Sequence, residues 1–261
     1  MELKKPVRSI LVVPGHRADF AAKARTYGAD QILWDLEDGV PAAQKQTARE
    51  IVAAHLRPGD AVRVNASPPC LGDPGDLEKD LAVLASIAIP EVWVWIAKAW
   101  GPPHLAYIHH RLPLARGRLC ALVETPDAVL RINGLYVAKW TFDALAFGRQ
   151  DFMAAAGLSP YQTTIIDHAA AQVALAALAR GVPCYDSPCF SMQEEDVLDA
   201  AVEAKQLGFT GMGCIHPKQI PWVHRGFELW DAEQRWAREI LDCGETLPPR
   251  VRAAKKILGV E

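Results

Sequence analysis

The segment Ile32-Leu-Trp-Asp-Leu-Glu-Asp-Gly39 places three carboxylates and a glycine directly after a short apolar run. The apolar run Ile32-Leu-Trp34 predicts a buried strand, and Gly39-Val40-Pro41 predicts the turn that follows it. Carboxylates this close repel one another and lose hydration when buried, so they should face water, a cation or a polar ligand. Taken alone, the segment leaves two interpretations open: acids at a solvated strand end, or part of a functional site.

The composition is that of a globular protein with a large core. The chain has 261 residues, of which 50% are hydrophobic and 23% charged. Its net charge is −3 and no block of Lys or Arg occurs, which argues against nucleic-acid binding. The apolar run 10–13 is too short for a secretory signal, and no apolar stretch approaches the length of a membrane span. We therefore expect a cytoplasmic protein that binds neither membranes nor nucleic acid.

Eight short apolar runs alternate with helical patterns along the chain. Strands are predicted at residues 10–13, 31–34, 61–64, 92–96, 119–123, 144–147, 182–185 and 211–215. Helices are predicted at residues 17–27, 42–55, 77–87, 104–110, 164–180, 192–207, 218–228, 231–242 and 249–258, with one more that begins at Thr125 and Pro126.

This alternation predicts an α/β fold, a (β/α)8 TIM-type barrel over residues 1–228, followed by a short C-terminal helical extension at residues 229–261. A doubly wound open sheet is the alternative. It is disfavoured because the turn after the first strand, Val13-Pro-Gly-His-Arg17, lacks the glycine pattern of dinucleotide-binding folds.

Charged and polar side chains follow the predicted strands, and the carboxyl ends of barrel strands share one face. They are His16, Arg17, Asp35, Glu37, Asp38, Lys98, Glu124, Arg149, Gln150, Asp151, Asp186 and His216, with Arg63 and Asn65 on the third strand. Carboxylates from separate strands suit a hard divalent cation, Mg²⁺ or Mn²⁺. Arg63 lies between two valines, and its guanidinium suits either a substrate carboxylate in bidentate contact or an internal ion pair with Asp35 or Glu37.

Six motifs in order resemble the citrate lyase beta-subunit family, which includes malyl-CoA and citramalyl-CoA lyases within the wider 2-keto-acid aldolase barrels. The resemblance covers roughly residues 8–228. The motifs are Arg8-Ser-Ile-Leu-Val-Val-Pro-Gly15, Asp35-Leu-Glu-Asp-Gly39, Arg63-Val-Asn65, Glu124 in Leu-Val-Glu-Thr, Gly148-x-x-Asp151 and Ile215-His-Pro-Lys-Gln-Ile220.

The resemblance implies a homotrimer or a larger homo-oligomer and Mg²⁺-dependent cleavage or formation of a carbon–carbon bond. It further implies that Glu124 and Asp151 bind the metal and that Arg63 grips the carboxylate of the acid, while Glu37 and Asp38 hold the metal's waters. The implied contacts to CoA phosphates are Arg17 and Lys23, and the implied residues of the acyl pocket are Gln150, Ile215 and His216.

The chain departs from the family's pattern near its C-terminus. The lyases carry an aspartate in a C-terminal lid, whereas the tail here is Gly244-Glu-Thr-Leu-Pro-Pro-Arg250, with Glu245 as its one acid. Gln150 also stands where glutamate is common. Three hypotheses follow: a lyase acting on a hydroxyacyl-CoA such as citramalyl-, malyl- or citryl-CoA, a CoA-independent aldolase acting on a hydroxy-keto acid, and a non-catalytic metabolite-binding protein.

Overall fold

Eight parallel strands close into a barrel in which each strand pairs with its neighbours in the chain and the last pairs with the first. The structure is a computed structural model that describes residues 7–66, 75–87, 89–112, 117–132, 142–228 and 231–260, without the side chains of residues 102, 117 and 231. The strands are β1 (Ser9–Pro14), β2 (Gln31–Asp35), β3 (Ala61–Val64), β4 (Val92–Ile96), β5 (Gly117–Val123), β6 (Ala144–Phe147), β7 (Cys184–Asp186) and β8 (Gly211–Cys214). The predicted barrel is confirmed.

The barrel interior is filled by alternate residues of the strands, because side chains two positions apart on a strand share a face. The buried cluster inside the barrel consists of Ile10, Leu33, Ala61, Trp95, Cys120, Leu122, Ala144, Ala146 and Tyr185. Strand register also aligns Asp35 with Arg63, and Arg63 with Trp95. Polar side chains thus stand at the carboxyl ends of the strands, above an apolar interior.

Helices follow the strands along the chain. They are α1 (Ala18–Ala21), α2 (Lys45–His55), α3 (Gly75–Ile87), α4 (Pro102–Arg111), α5 (Pro126–Arg131), α6 (Arg149–Ala156), α7 (Thr163–Leu178), α8 (Glu194–Leu207), α9 (Gln219–Gly226), α10 (Asp231–Asp242) and α11 (Pro248–Leu258). The predicted N-cap of α5 is present, since the Thr125 hydroxyl accepts a hydrogen bond from the N–H of Ala128. None of the helices in the described residues is long and apolar enough to cross a membrane.

Two helix predictions need correction. The continuous helix expected at residues 17–27 is a single α-helical turn, α1, followed by a 3₁₀ turn at Ala24–Tyr27. The Thr26 hydroxyl donates to the carbonyl of Lys23 at 2.7 Å, and such a local bond competes with α-helical geometry. The second correction is α6, which the sequence analysis left unassigned. Arg149, Gln150 and Asp151 form its first turn.

The chain divides into two compact units, one ending at Gly226 and the other beginning at Phe227. In the second unit, α10 and α11 pack around Ala237, Ile240 and Ala254. Residues 229 and 230, where the sequence analysis begins the C-terminal extension, lie outside the described residues. That domain boundary therefore stays a prediction.

Candidate active site

A cavity of 380 Å³ opens among the carboxyl ends of the strands. Its polar lining consists of Asp35, Asp38, Arg63, Glu124, Gln150, Asp151, Asp186 and Ser187. These side chains come from β2, β3, β7 and the segments after β2, β5, β6 and β7. The structure therefore brings together half of the strand-end residues predicted from the sequence on the lining of one cavity.

Asp35 and Arg63 form a buried ion pair on adjacent strands. Nε and Nη2 of Arg63 each donate to a carboxylate oxygen of Asp35 at 2.7 Å, and the Asp35 side chain is 1% exposed. Burial favours the neutral acid, but the Arg63 guanidinium and the N–H groups of Glu37 and Gly39 outweigh it and lower the pKa of Asp35. The internal pair considered for Arg63 is thus present, and it leaves the Nη1 end of the guanidinium for other contacts.

Lys98, directly after β4, joins the acids from three strand ends. Its ammonium lies 2.5 Å from Oε1 of Glu37, 3.0 Å from Oδ2 of Asp38 and 3.7 Å from Oδ1 of Asp151. Its backbone N–H donates to Oε2 of Glu124 at 2.6 Å. Burial disfavours the ammonium, but Glu37 and the other carboxylates prevail and raise the pKa of Lys98.

The backbone of Lys98 is unusual as well as its side chain. Its φ angle of 49° places a non-glycine residue in the left-handed region, which costs conformational energy and often marks a functional site. From the sequence, Lys98 is predicted to lie at a strand end, with no role assigned to it. The signal that could have revealed a role was the position of this cation at a strand end, on the face that carries many acids.

Glu124 is almost fully buried beside other carboxylates. Burial, followed by the charges of Glu37 and Asp151, raises the pKa of Glu124 to about 8. The backbone leaves just enough room for it, since a Cβ on Gly148 would lie 2.5 Å from both Cγ and Oε1 of Glu124. Asp151 reaches the same place from the first turn of α6.

These residues fit a divalent cation held by few protein ligands. No group of three or more His, Cys, Asp or Glu in the described residues is arranged to hold a metal. Glu124 and Asp151 nevertheless offer two carboxylates, and Mg²⁺ commonly takes one or two carboxylates with water and substrate completing its shell. Oε2 of Glu37 is buried without a hydrogen bond, although Nη1 of Arg63 lies 3.3 Å away in poor alignment. A positive charge nearby would relieve both this oxygen and Glu124.

Lys45 of α2 holds the segment that carries Glu37 and Asp38. Its ammonium donates to the carbonyl oxygens of Leu36 and Glu37 at 2.6 and 2.7 Å. It also donates to Oδ1 of Asn65 at 2.6 Å, so one half-buried cation ties α2 to the ends of β2 and β3.

Arg149 forms a second charged network on the opposite side of the cavity. Its guanidinium contacts Asp186 at 2.9 Å, Asp167 at 2.9 Å and Glu203 at 3.5 Å. Burial raises the pKa of Asp186 despite the opposing charge of Arg149. The N–H of Arg149 donates to Oγ of Ser187 at 2.7 Å, which joins the start of α6 to the end of β7.

The predicted CoA and acyl contacts divide into two groups. Gln150 and Ile215 line the cavity. Arg17 and Lys23 are exposed and do not line it, and Arg17 pairs with Asp19 at 2.9 Å. His216 is half-buried outside the lining, where Nδ1 accepts a hydrogen bond from the N–H of Lys218. The functional roles of these residues stay predictions.

The fold and the site define a class of protein: a (β/α)8 barrel with a carboxylate-rich site at the carboxyl ends of its strands, the face on which barrel enzymes carry their active sites. Within that class, the chain belongs to the HpcH/HpaI aldolase/citrate lyase family, whose sequence model matches residues 8–90 and 106–217. The resemblance drawn from the six motifs is confirmed.

Named relatives support the same assignment. The chain is 28% identical to a citrate lyase subunit beta-like protein of Deinococcus radiodurans, over 95% of this chain and 89% of the relative. It is 28% identical to the mitochondrial citramalyl-CoA lyase of Rattus norvegicus, over 90% of this chain and 75% of that protein. The crystal structure of CitE from Mycobacterium tuberculosis, in complex with magnesium, acetoacetate and coenzyme A, matches with a TM-score of 0.82 at 26% identity, over 99% of both chains. The chain is accordingly an enzyme of the carbon–carbon lyase class.

Proposed function

We propose that the chain is a Mg²⁺-dependent lyase that reversibly cleaves a hydroxyacyl-CoA such as citramalyl-, malyl- or citryl-CoA. The products are a keto acid, namely pyruvate, glyoxylate or oxaloacetate, and an acyl-CoA. The observation that carries the proposal is the convergence of Glu124, Asp151 and Arg63 on one cavity. The relatives named as lyases and the CitE structure with magnesium and coenzyme A support it.

The site residues suit this reaction. In cleavage, the hydroxyl group loses its proton and its carbon becomes a carbonyl carbon, while the electrons of the broken carbon–carbon bond pass to the acyl-CoA carbon, which takes up a proton. Glu124 and Asp151 would hold Mg²⁺, which when bound supplies positive charge at the 2-oxygen and the carboxylate of the acid. Nη1 of Arg63 adds a second positive charge that is fixed in place by Asp35. Lys98 holds Glu37 and Asp38 in position.

Keto-acid release in the presence of Mg²⁺ tests the proposal. The enzyme is incubated with citramalyl-, malyl- and citryl-CoA, and we expect turnover of at least one. Asp151→Asn should abolish it, whereas Asp127→Asn, at an exposed pair with Arg131 on α5, should leave it unchanged. Binding of keto acids with no turnover of any substrate would instead identify a non-catalytic protein.

One observation favours a second candidate, the CoA-independent aldolase. The carboxylate of Glu245, the one acid in the tail, accepts hydrogen bonds from the N–H groups of Thr246 and Leu247 and from Arg250. These contacts, the N–H of Leu247 first among them, lower the pKa of Glu245. Glu245 therefore serves the start of α11 and does not replace the lid aspartate. Keto-acid release from free hydroxy-keto acids, but from none of the thioesters, would establish this second function.

A further inference from the structure

The cavity has two layers. The upper layer is the polar lining at the strand ends. The lower layer consists of six apolar residues that also line the cavity: Ile10, Val12, Leu33, Trp95, Leu122 and Ala146. Leu33 and Leu122 each lie two positions before a polar residue of the upper layer, Asp35 and Glu124. Two residues of a strand advance about 7 Å, so Leu33 and Leu122 lie one side-chain level deeper in the barrel than Asp35 and Glu124. Ile10 and Val12 extend the apolar lower layer along β1.

Trp95 is the largest side chain of the lower layer. It is 5% exposed, and its ring stacks on Tyr185 with 5.6 Å between ring centroids and 17° between planes. Its Nε1 is buried and has no hydrogen-bond partner in the part of the chain that the structure describes. The indole ring and its stacked neighbour thus limit how far a ligand can extend into the barrel.

The charges around the cavity disfavour a second anion. Among the described residues that line the cavity, Arg63 is the one cation. Its Nε and Nη2 already donate to Asp35. Five carboxylates share that lining: Asp35, Asp38, Glu124, Asp151 and Asp186. The nearby cations Lys98 and Arg149 are not among the described lining residues, and they already pair with Asp38, Asp151 and Asp186. A carboxylate placed in the lower layer would find no cation there and would lose its hydration.

The proposed reaction fixes which part of the substrate points down. The hydroxyl-bearing carbon carries four groups. Its oxygen and carboxylate face the metal ligands and Arg63, and the bond that breaks leads toward CoA. CoA is far too large for the lower layer, so that bond points to the open mouth of the cavity. The fourth group must then point inward, toward Trp95.

We infer that the lower layer receives the fourth group, and that Trp95 limits its length. The substrate class is a hydroxyacyl-CoA whose keto-acid half carries a short, uncharged alkyl group, instead of a second carboxylate. This inference rests on the proposed function and narrows its substrate class. Trp95 is then a specificity-determining residue.

Calorimetric binding of keto acids to the full-length protein with saturating Mg²⁺ tests the inference. We expect 2-oxobutyrate to bind about fourfold more tightly than pyruvate, because one more methylene is buried. Oxaloacetate should bind roughly 100-fold more weakly than 2-oxobutyrate, because its second carboxylate would be buried unpaired. The longer 2-oxopentanoate should bind poorly, because Trp95 blocks its terminal methyl.

A pair of variants separates the specific effect of Trp95 on ligand affinity from general effects of a substitution on the barrel. Trp95→Leu should improve the binding of 2-oxopentanoate about tenfold relative to pyruvate, since it opens room for roughly two methylenes. The matched control is Trp93→Leu on the same strand, because Trp93 does not line the cavity and should leave the ligand order unchanged. The wild-type order of affinities tests the inference even if Trp95→Leu fails to fold.

The outcomes distinguish this inference from the proposed function. Binding of oxaloacetate as tight as that of 2-oxobutyrate would overturn the inference, while turnover of a thioester would leave the proposed function intact. If Trp95→Leu folds and binds the keto acids in the same order of affinity as the wild type, Trp95 does not determine specificity. If the protein binds no keto acid and turns over no thioester, the result would count against both the inference and the proposed function.

Discussion

Asp35 is saturated with hydrogen bonds although it lies at the edge of the cavity. It receives two bonds from Arg63 and one each from the N–H groups of Glu37 and Gly39 at 2.9 Å. A Cβ on Gly39 would collide with Oδ2 of Asp35, which explains the glycine that closes the acidic segment. Asp35 therefore shapes the turn that presents Glu37 and Asp38, and it orients Arg63.

We expect Asp35→Asn to lower the free energy of unfolding by about 3 kcal/mol, because it removes the buried carboxylate that accepts two hydrogen bonds from the half-buried Arg63. Urea denaturation at pH 7 measures the change. Asp19→Asn, at the exposed pair with Arg17, is the control and should leave the unfolding midpoint unchanged. A wild-type midpoint in Asp35→Asn would contradict a stabilising role of the pair.

The same pair predicts an acid-dependent loss of stability. The pKa of Asp35 in the folded protein lies below its ordinary value of 3.8. The stabilisation is therefore complete above about pH 5 and is lost as the pH falls through 3.8 toward the folded pKa. Unfolding midpoints of the wild type between pH 6 and 3 should fall more steeply than those of Asp35→Asn. Parallel curves would show that Asp35 makes no such contribution.

At the scale of elements, the junction between β6 and α6 sets the position of Glu124. Gly148 joins the two elements and passes close to the Glu124 side chain. We expect Gly148→Ala to weaken Mg²⁺ binding about tenfold, because its Cβ displaces a carboxylate that the metal needs in place. Calorimetric titration with Mg²⁺ measures the change.

Gly101→Ala, just before α4, is a matched control. Its added Cβ would meet only Cδ of Pro103 at an ordinary 3.7 Å, and its φ of 163° is extended backbone that alanine adopts. Mg²⁺ affinity should therefore be unchanged. Equal affinities in the wild type and in Gly148→Ala would mean that Glu124 does not bind the metal.

The elements differ in how well the sequence predicts them. Strands such as β4, expected at residues 92–96 and found at Val92–Ile96, are buried runs whose composition alone indicates their type. The helix α6 is missed because its first turn consists of the charged and polar residues that follow the sixth predicted strand, to which no element was assigned. Gly157, in left-handed conformation at its C-terminal end, and the preceding alanines were the available signal.

Site residues also differ in how well the sequence predicts their positions. Glu124 and Asp151 follow strands, so alternation and order were enough to place them near one another. The triple contact of Lys98 with Glu37, Asp38 and Asp151 depends on a left-handed backbone at Lys98. No periodicity in the sequence encodes that conformation. The structure places Trp95 both in the core and on the cavity.

At the scale of the whole molecule, the second unit is too small to be stable alone. It begins at Phe227, and its described core has only Ala237, Ile240 and Ala254 fully packed. Domains below about 40 residues rarely fold without a metal, a disulfide or a partner. We expect a synthetic peptide of residues 227–261 to show weak helicity by circular dichroism and a non-cooperative thermal transition. A sharp transition would show that α10 and α11 fold independently.

Closure of the barrel between β1 and β8 has a consequence for synthesis of the chain. The paired residues Ser9 and Met212 are 203 positions apart (212 − 9). At about 5–20 residues per second, a ribosome needs roughly 10–40 s to translate that interval. During this time, one edge of β1 keeps its backbone hydrogen-bond donors and acceptors exposed. Unpaired strand edges can pair with strands of other chains. Nascent chains crowded on one messenger are therefore most vulnerable to aggregation through β1, before β8 has left the ribosome.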